Sequence, residues 1–369
     1  MKMRLLTLLC LAAAFAAPGF SSQAKGDDGP IRVLFLGHES EHHNSNLYYP
    51  MLSRALGRDA IYFDYVTSVE EALGDADYLG KFDALLLYAN HGRIEPHQWK
   101  NLKDYVEGGG GFVPVHCASW CFGNEPGFDK LVGGRFKSHQ GAEFAAKIVK
   151  PDHPAMKDVK EFTAWDETYF HNNHNTENRT VLMVREAMPG DPHTKPEPWT
   201  WVRTQGKGRV FYTASGHDQR VWSHSDFHQL IKSGILWSVG DKARKRYDNF
   251  IAKRTLLKYE KRGNIPNYER RPEPLQYQLP LSPEDSMKYT QVPVGFRMEL
   301  FAAEPNVINP IYMAWDERGR LWVVETVDYP NEFKDGRKGN DRIKICEDTD
   351  GDGKADKFTV FAEGFNIPT

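Results

Sequence analysis

Apolar residues recur in two different rhythms along the chain, and the change falls near residue 240. Before it, short apolar runs alternate with stretches at helical spacing. Ile31–Leu36 is a β-branched run that stops at Gly37, residues 47–56 follow at helical spacing, and 60–66 read as the next strand. Residues 82–88 are almost wholly apolar, as expected of a strand buried on both faces of a parallel sheet. The pattern then predicts a helix over 97–106, a glycine turn at 108–111 and a strand over 112–115. Further strands are expected at 143–149, 180–184 and 209–213, with a closing helix over 227–239. Strand–helix alternation of this kind predicts an α/β domain built on a doubly wound, flavodoxin-like parallel sheet.

Beyond 240 the rhythm is lost. Residues 241–274 are crowded with basic side chains, among them Lys242, Arg244, Arg246, Lys253, Arg254 and Arg262, and read as a solvated helix and linker. Pro272, Pro274, Pro280 and Pro283 mark an extended connector to about 294. From Gly295 the pattern becomes all-β, with short strands near 296–301, 311–315, 321–325, 343–347 and 358–361 and turns such as Asp316-Glu317-Arg318-Gly319. These spacings predict propeller hairpins. One blade cannot bury its own faces, so 295–369 is expected to be the incomplete first part of a β-propeller.

The N-terminus adds a destination. Lys2 and Arg4 precede the apolar run from Leu5 to Ala17, and Ser22-Gln23-Ala24 offers small residues for cleavage. That layout predicts a signal peptide over 1–24, and an exported chain, periplasmic or at the cell surface. The apolar run is shorter than the ~20 residues a spanning helix needs. The expected organisation is therefore 1–24 signal, 25–240 α/β domain, 241–294 basic helix and linker, and 295–369 propeller start. A formal net charge of −3 over 369 residues gives no electrostatic reason to expect a nucleic-acid partner. Cys117 and Cys121 are spaced either for a disulfide or for two buried thiols, and no Cys-x-x-Cys-His haem motif is present.

Candidate chemistry lies where strands end, since ligands of doubly wound sheets sit beyond the carboxyl ends of the strands. Four predicted strand ends each deliver a histidine: Gly37-His38 with His42 and His43, Asn90-His91, His116-Cys117, and Gly216-His217. A polar, histidine-lined pocket follows, suited to acid–base work or to a divalent metal. His38, His116 and His217 are the candidates for acid, base or ligand, and Asp166 and Glu167 for orienting them or contacting sugar hydroxyls. His42, His43, His171 and His174 are equally well read as solvent-facing loop residues. Trp165, Trp120, Tyr169 and Trp222 are candidates for stacking on a ring, against core packing as the alternative. A separate acidic loop, Asp348-Thr349-Asp350-Gly351-Asp352-Gly353-Lys354-Ala355-Asp356, places Asp348, Asp350, Asp352 and Asp356 around glycines and is expected to bind calcium; position twelve is Thr359, so it is no EF-hand.

Several segments together carry a resemblance. Val115-His116-Cys117-Ala118-Ser119, Gly133-Gly134-Arg135-Phe136 with His139, Asp152-His153-Pro154, Asp166-Glu167-Thr168-Tyr169, Trp199-Thr200-Trp201 and Gly216-His217 stand in the order and spacing of the ThuA-like family. That resemblance covers about 31–240 and implies a fold like that of class I glutamine amidotransferases. Those enzymes place a cysteine nucleophile at a sharp strand-to-helix elbow. Here His116 aligns with the elbow and Cys117 follows it, so amidotransferase activity is not supported. The resemblance implies sugar catabolism, of trehalose or 3-keto-glycosides, by lyase or hydrolase chemistry. Asn90, His91, Trp120, His139, Tyr169 and Trp222 are the residues that would then line the carbohydrate site. A non-catalytic carbohydrate-binding or scaffolding module is the alternative. Residues 295–369 are similar to the start of planctomycete-type "membrane-bound dehydrogenase" propellers; any quinone or haem site of such a protein is expected past Thr369.

Overall fold

The computed structural model describes residues 28–262, 267, 270, 275–328, 334 and 339–368. The expected signal peptide lies outside them, as do Pro272 and Pro274 of the connector. Among the described residues no helix is long and apolar enough to cross a membrane.

Twelve strands belong to the first region: β1 Ile31–Leu36, β2 Ile61–Val66, β3 Ala84–Leu87, β4 Gly111–Pro114, β5 Arg135–Ser138, β6 Gly141–Ala145, β7 Lys147–Ile148, β8 Thr163–Glu167, β9 Phe170–Asn172, β10 Arg179–Arg185, β11 Glu197–Gln205 and β12 Gly208–Thr213. Eight form one sheet in the order β2-β1-β3-β4-β12-β11-β10-β7. The five strands from β2 to β12 run parallel. The last three are joined antiparallel, so the expected parallel sheet is mostly, not wholly, parallel.

The apolar runs explain the core. Five of the six residues of β1 and all four of β3 are buried, and burying one such side chain stabilises the fold by roughly 1.5–3 kcal/mol. Phe35 sits edge-on to Tyr49, Phe63 and Tyr65, so Phe35→Ala would cost about 3–5 kcal/mol. Helix α1, Ser45–Gly57, begins where Asn44 Oδ1 accepts the Leu47 N–H. It carries the chain from β1 outward to β2. The next helices, α2 Val69–Leu73, α3 Ala76–Leu79 and α4 Pro96–Glu107, carry it back past β1 to β3 and on to β4. Right-handed crossovers in opposite directions put these two groups on opposite faces. The direction changes between β1 and β3, and there the strand ends leave a crevice.

One of the expected strands takes another form. The run 143–149 is split: β6 pairs with β8 in a separate ribbon, and β7 pairs with β10 at the sheet edge. A second ribbon joins β5 to β9. Together the ribbons take residues 135–145 and 163–172 out of the main sheet, with β7 between them at its edge.

The basic segment is not simply solvated. Arg246, within the helix Asp241–Ala252, is buried and pairs with Asp83. Arg254 is buried too and donates to the Arg58 carbonyl. Further on, Tyr62 donates to the Lys288 carbonyl and Val294 N–H to Asp64. Residues 288–294 are therefore laid along β2, while Arg246 and Arg254, which composition alone assigns to water, are buried against Asp83 and the Arg58 carbonyl.

Past two short paired strands, β13 Tyr259–Lys261 and β14 Gln276–Gln278, lies a four-stranded antiparallel sheet of β15 Pro310–Trp315, β16 Leu321–Glu325, β17 Asp341–Glu347 and β18 Lys357–Phe365. Residues 296–301 are not a strand. The core of this sheet is small, built on Val307, Leu321, Val323 and Cys346.

Candidate functional site

The loop after β1 runs from Gly37 to the cap of α1 and contains His38, His42 and His43. His38 is buried, and both its ring nitrogens are engaged: Nε2 donates to the His43 carbonyl at 2.9 Å, and Nδ1 accepts the Asn90 N–H at 3.1 Å. It braces the loop and offers no free nitrogen to a ligand. The brace sets His43, whose backbone stands at φ 54. His43 is buried, not solvent-facing, and its Nδ1 lies 2.8 Å from Asn90 Oδ1. Since that oxygen only accepts, Nδ1 carries the proton and Nε2 presents a lone pair.

β4 delivers the second ring. His116 follows the strand at φ 49 and opens a short 3-10 turn, His116–Trp120. A left-handed backbone at a non-glycine residue costs of the order of 1–3 kcal/mol and is retained mostly at functional positions. His116 occupies the elbow, as its alignment implies. Its Nδ1 donates to the Ala214 carbonyl at 2.6 Å, leaving Nε2 as a lone pair. Burial lowers its pKa to about 3, so the ring is neutral. Tyr169 is buried and stacks on it with centroids 4.1 Å apart, which holds the ring in place and leaves no exposed face for a sugar.

β12 ends at the corner Gly216-His217. Gly216 has φ 139, and a Cβ there would stand 3.2 Å from both His116 Cβ and Val115 Cγ1. Asp166 holds this corner, accepting the Gly216 and His217 N–H groups at 3.0 and 3.1 Å. Burial pushes its carboxyl up to about 7, against the backbone donors that oppose the shift. Trp222 is fully buried, stacks on Tyr48 and donates to the Gly216 carbonyl. It belongs to the core, which corrects its expected role as a sugar platform.

The ribbon β6–β8 brings the carboxylate. Neighbouring residues of a strand project to opposite sides, so Asp166 takes the backbone corner while Glu167 meets the rings. Glu167 Oε2 lies 3.3 Å from His116 Nε2 and 3.7 Å from His43 Nε2. Oε1 lies 3.2 Å from His217 Nδ1 and 3.5 Å from His139 Nε2. Burial works to lower the pKa of His217, and Glu167 raises it overall.

These approaches are not hydrogen bonds. His43 Nε2, His116 Nε2 and His217 Nδ1 are buried without a hydrogen-bond partner. Each such atom costs about 1–3 kcal/mol. With one Glu167 oxygen, the three nitrogens lie within 4.8 Å of one another, a set able to hold a metal ion. The mouth is formed by His139, whose side chain is 42% exposed, and by exposed His42, its ring 5.8 Å from that of His217. Trp165 stands 5.5 Å from His217 with the Arg220 guanidinium 3.8 Å above it.

The remaining candidates stand apart from Glu167. His91 bonds through Nε2 to the Gly37 carbonyl. Trp120 is 40% exposed at the end of the 3-10 turn. His171 is buried against Glu197 rather than exposed, and His174 lies beside Arg179. Cys117 and Cys121 are buried free thiols, not a disulfide. Burial raises the Cys117 thiol well above its ordinary value, contrary to the needs of a nucleophile. In the acidic loop, Asp348, Asp350 and Asp356 come together; Asp352 is not among them. The Asp348 carboxylate accepts N–H groups from Gly351 and Gly353, and Asp356 accepts from Thr349.

Residues 32–238, more than half of the chain, match the family model ThuA, described as trehalose utilisation. The chain belongs to this family. The ThuA region is accordingly carbohydrate-related, and the histidine basin lies wholly within it. A ThuA-like protein of Parabacteroides merdae has a similar structure, with a TM-score of 0.50 and 19% identity over 57% of this chain and 90% of that one. Another from Bacteroides uniformis gives 0.49 and 17% over 57% and 92%. At 19% identity the likeness to the Parabacteroides merdae protein speaks for the fold alone. Residues 282–369 match a domain of unknown function. No curated relative matches the chain.

Proposed function

We propose that the ThuA region is a carbohydrate-active lyase or hydrolase, acting on a 3-keto-glycoside or related sugar, in a chain exported to the periplasm or cell surface. The observation that carries this reading is the basin itself: one buried carboxylate faced by four imidazoles, three of whose nitrogens lack partners. A module that only binds has no need of so many titratable groups on one rim.

The chemistry suits the substrate class. A ketone at C3 acidifies the C2 proton. A base removes that proton, the electron pair forms the C1=C2 bond, and the C1–O bond breaks as the leaving alcohol takes a proton from an acid. Addition of water to C1 then completes a net hydrolysis. His139 and His42, the rings at the mouth, would exchange these protons. Trp165 would lie against the sugar ring. The inner set would face the keto oxygen, where negative charge builds.

Purified full-length protein incubated with 3-keto-glycosides and their parent glycosides, followed by NMR, tests the reading. Release of the aglycone from keto substrates, abolished by Glu167→Gln, is expected. No turnover of any glycoside by folded protein would refute it. For the C-terminal sheet we propose a propeller blade, supported by its exposed apolar positions Ile311, Tyr312, Met313 and Trp315 on β15, which need a neighbour.

A further inference from the structure

We propose that His43 Nε2, His116 Nε2, His217 Nδ1 and a Glu167 carboxylate oxygen together hold one divalent transition-metal ion. Its chemical consequence rests on the reading of the basin as an active site; the ion itself is argued from the ligand atoms.

Three features converge. Donors about 2.1 Å from a common ion lie about 3.4 Å apart in a tetrahedron. The Glu167 oxygens stand 3.3, 3.2 and 3.7 Å from the His116, His217 and His43 nitrogens. Two of the rings are also oriented as ligands are: Ala214 O and Asn90 Oδ1 each fix the proton on Nδ1 and aim the Nε2 lone pair inward. Lone pairs of neutral rings repel a carboxylate unless a cation stands between them. A proton on His217 would satisfy one nitrogen and leave the other two, both buried, without a partner. One ion satisfies all three together with Glu167.

The donors also select the ion. Three imidazoles and one carboxylate, with no thiolate, suit zinc, iron, nickel or a similar ion, whereas calcium and magnesium demand a shell of oxygens. His217 and His139 lie toward the open side, where a substrate oxygen would complete the coordination. An ion there offsets the negative charge of Glu167, which would otherwise oppose charge building on a keto oxygen.

The test uses the full chain, purified without chelator. Elemental mass spectrometry is expected to find about one transition-metal ion per chain. After stripping, Co2+ should restore a visible ligand-field spectrum that saturates at one equivalent. Glu167→Gln and His217→Ala, each shown by circular dichroism to be folded, should weaken Co2+ binding at least a hundredfold. Stripped wild-type protein that gives no such spectrum, or folded variants that bind as well as wild type, would overturn the assignment. Turnover of a keto-glycoside by protein that binds no Co2+ would refute the ion and leave the active site standing. Bound metal without turnover would refute only the substrate.

Discussion

Two glutamates of the ThuA region are buried against histidine, and they differ in what the histidines do. At Glu197, Oε1 accepts both the backbone N–H and the ring Nδ1–H of His171, at 3.0 and 3.1 Å. His171 Nε2 meets the Tyr212 hydroxyl at 3.0 Å and Glu197 Oε2 faces His193, so each polar atom of the pair has a protein partner. At Glu167 the rings come nearly as close, but their nitrogens remain without partners. The same residue types thus build a brace in one place and an unfinished shell in the other. The acidic loop near Asp350 makes the contrast from another side: its carboxylates gather, but in solvent and on their own backbone donors. Proximity of metal-binding groups is not enough. Burial without satisfaction is what points to a ligand.

The contrast can be broken most sharply at Glu167. Glu167→Gln is expected to lower turnover of a keto-glycoside by about 10²-fold or more, read from kcat/KM of folded protein. Retention of most of the activity would reduce the basin to a structural feature. Asn90 touches no substrate in this account but aims His43. Asn90→Leu should therefore weaken Co2+ binding by about 10–100-fold, measured by spectroscopic titration.

The closed pair predicts a pH effect on stability. Burial lowers the pKa of His171, and Glu197, which burial alone would raise, is held below its ordinary value by His171. Both groups have folded values below their unfolded ones, about 6.5 and 4.3. Their contribution is complete above pH ~6.5 and is lost as the pH falls through the folded values. Glu197→Gln should cost about 1–2 kcal/mol at neutral pH and flatten the acid limb of a denaturation profile. An unchanged limb would place the acid sensitivity elsewhere. The smallest effects belong to the loop: Asp350→Asn and Asp352→Asn should shift stability by less than about 0.5 kcal/mol without added calcium. The calcium expected there is decided by the same variants. A melting temperature raised by calcium in wild type only would show that an exposed acidic cluster can also be a site.

Much of the fold was legible because parallel strands buried on both faces leave continuous apolar runs, as β1 and β3 do. β11 left no such run: Pro198, Thr200 and Arg203 interrupt it, although both Thr200 and Arg203 are buried, the first bonded to Thr213 and the second donating through its guanidinium to the Leu131 carbonyl. β8 was hidden for a related reason, since Asp166 and Glu167 look like surface and are buried. At the site, strand ends pointed to His116 and His217, and the acidic pair to Glu167. His43 was missed. Nothing in Gly37-His38-Glu39-Ser40-Glu41-His42-His43 distinguishes its histidines; the loop conformation turns His38 to the backbone, His42 to solvent and His43 inward.

The central claim, that the shell around Glu167 is completed by an ion, is tested most directly by anomalous diffraction from crystals of protein purified without chelator. The account predicts a single strong peak about 2.0–2.2 Å from His43 Nε2, His116 Nε2, His217 Nδ1 and a Glu167 oxygen. Well-ordered density for all four side chains with no anomalous peak among them, even after soaking in zinc, would contradict it.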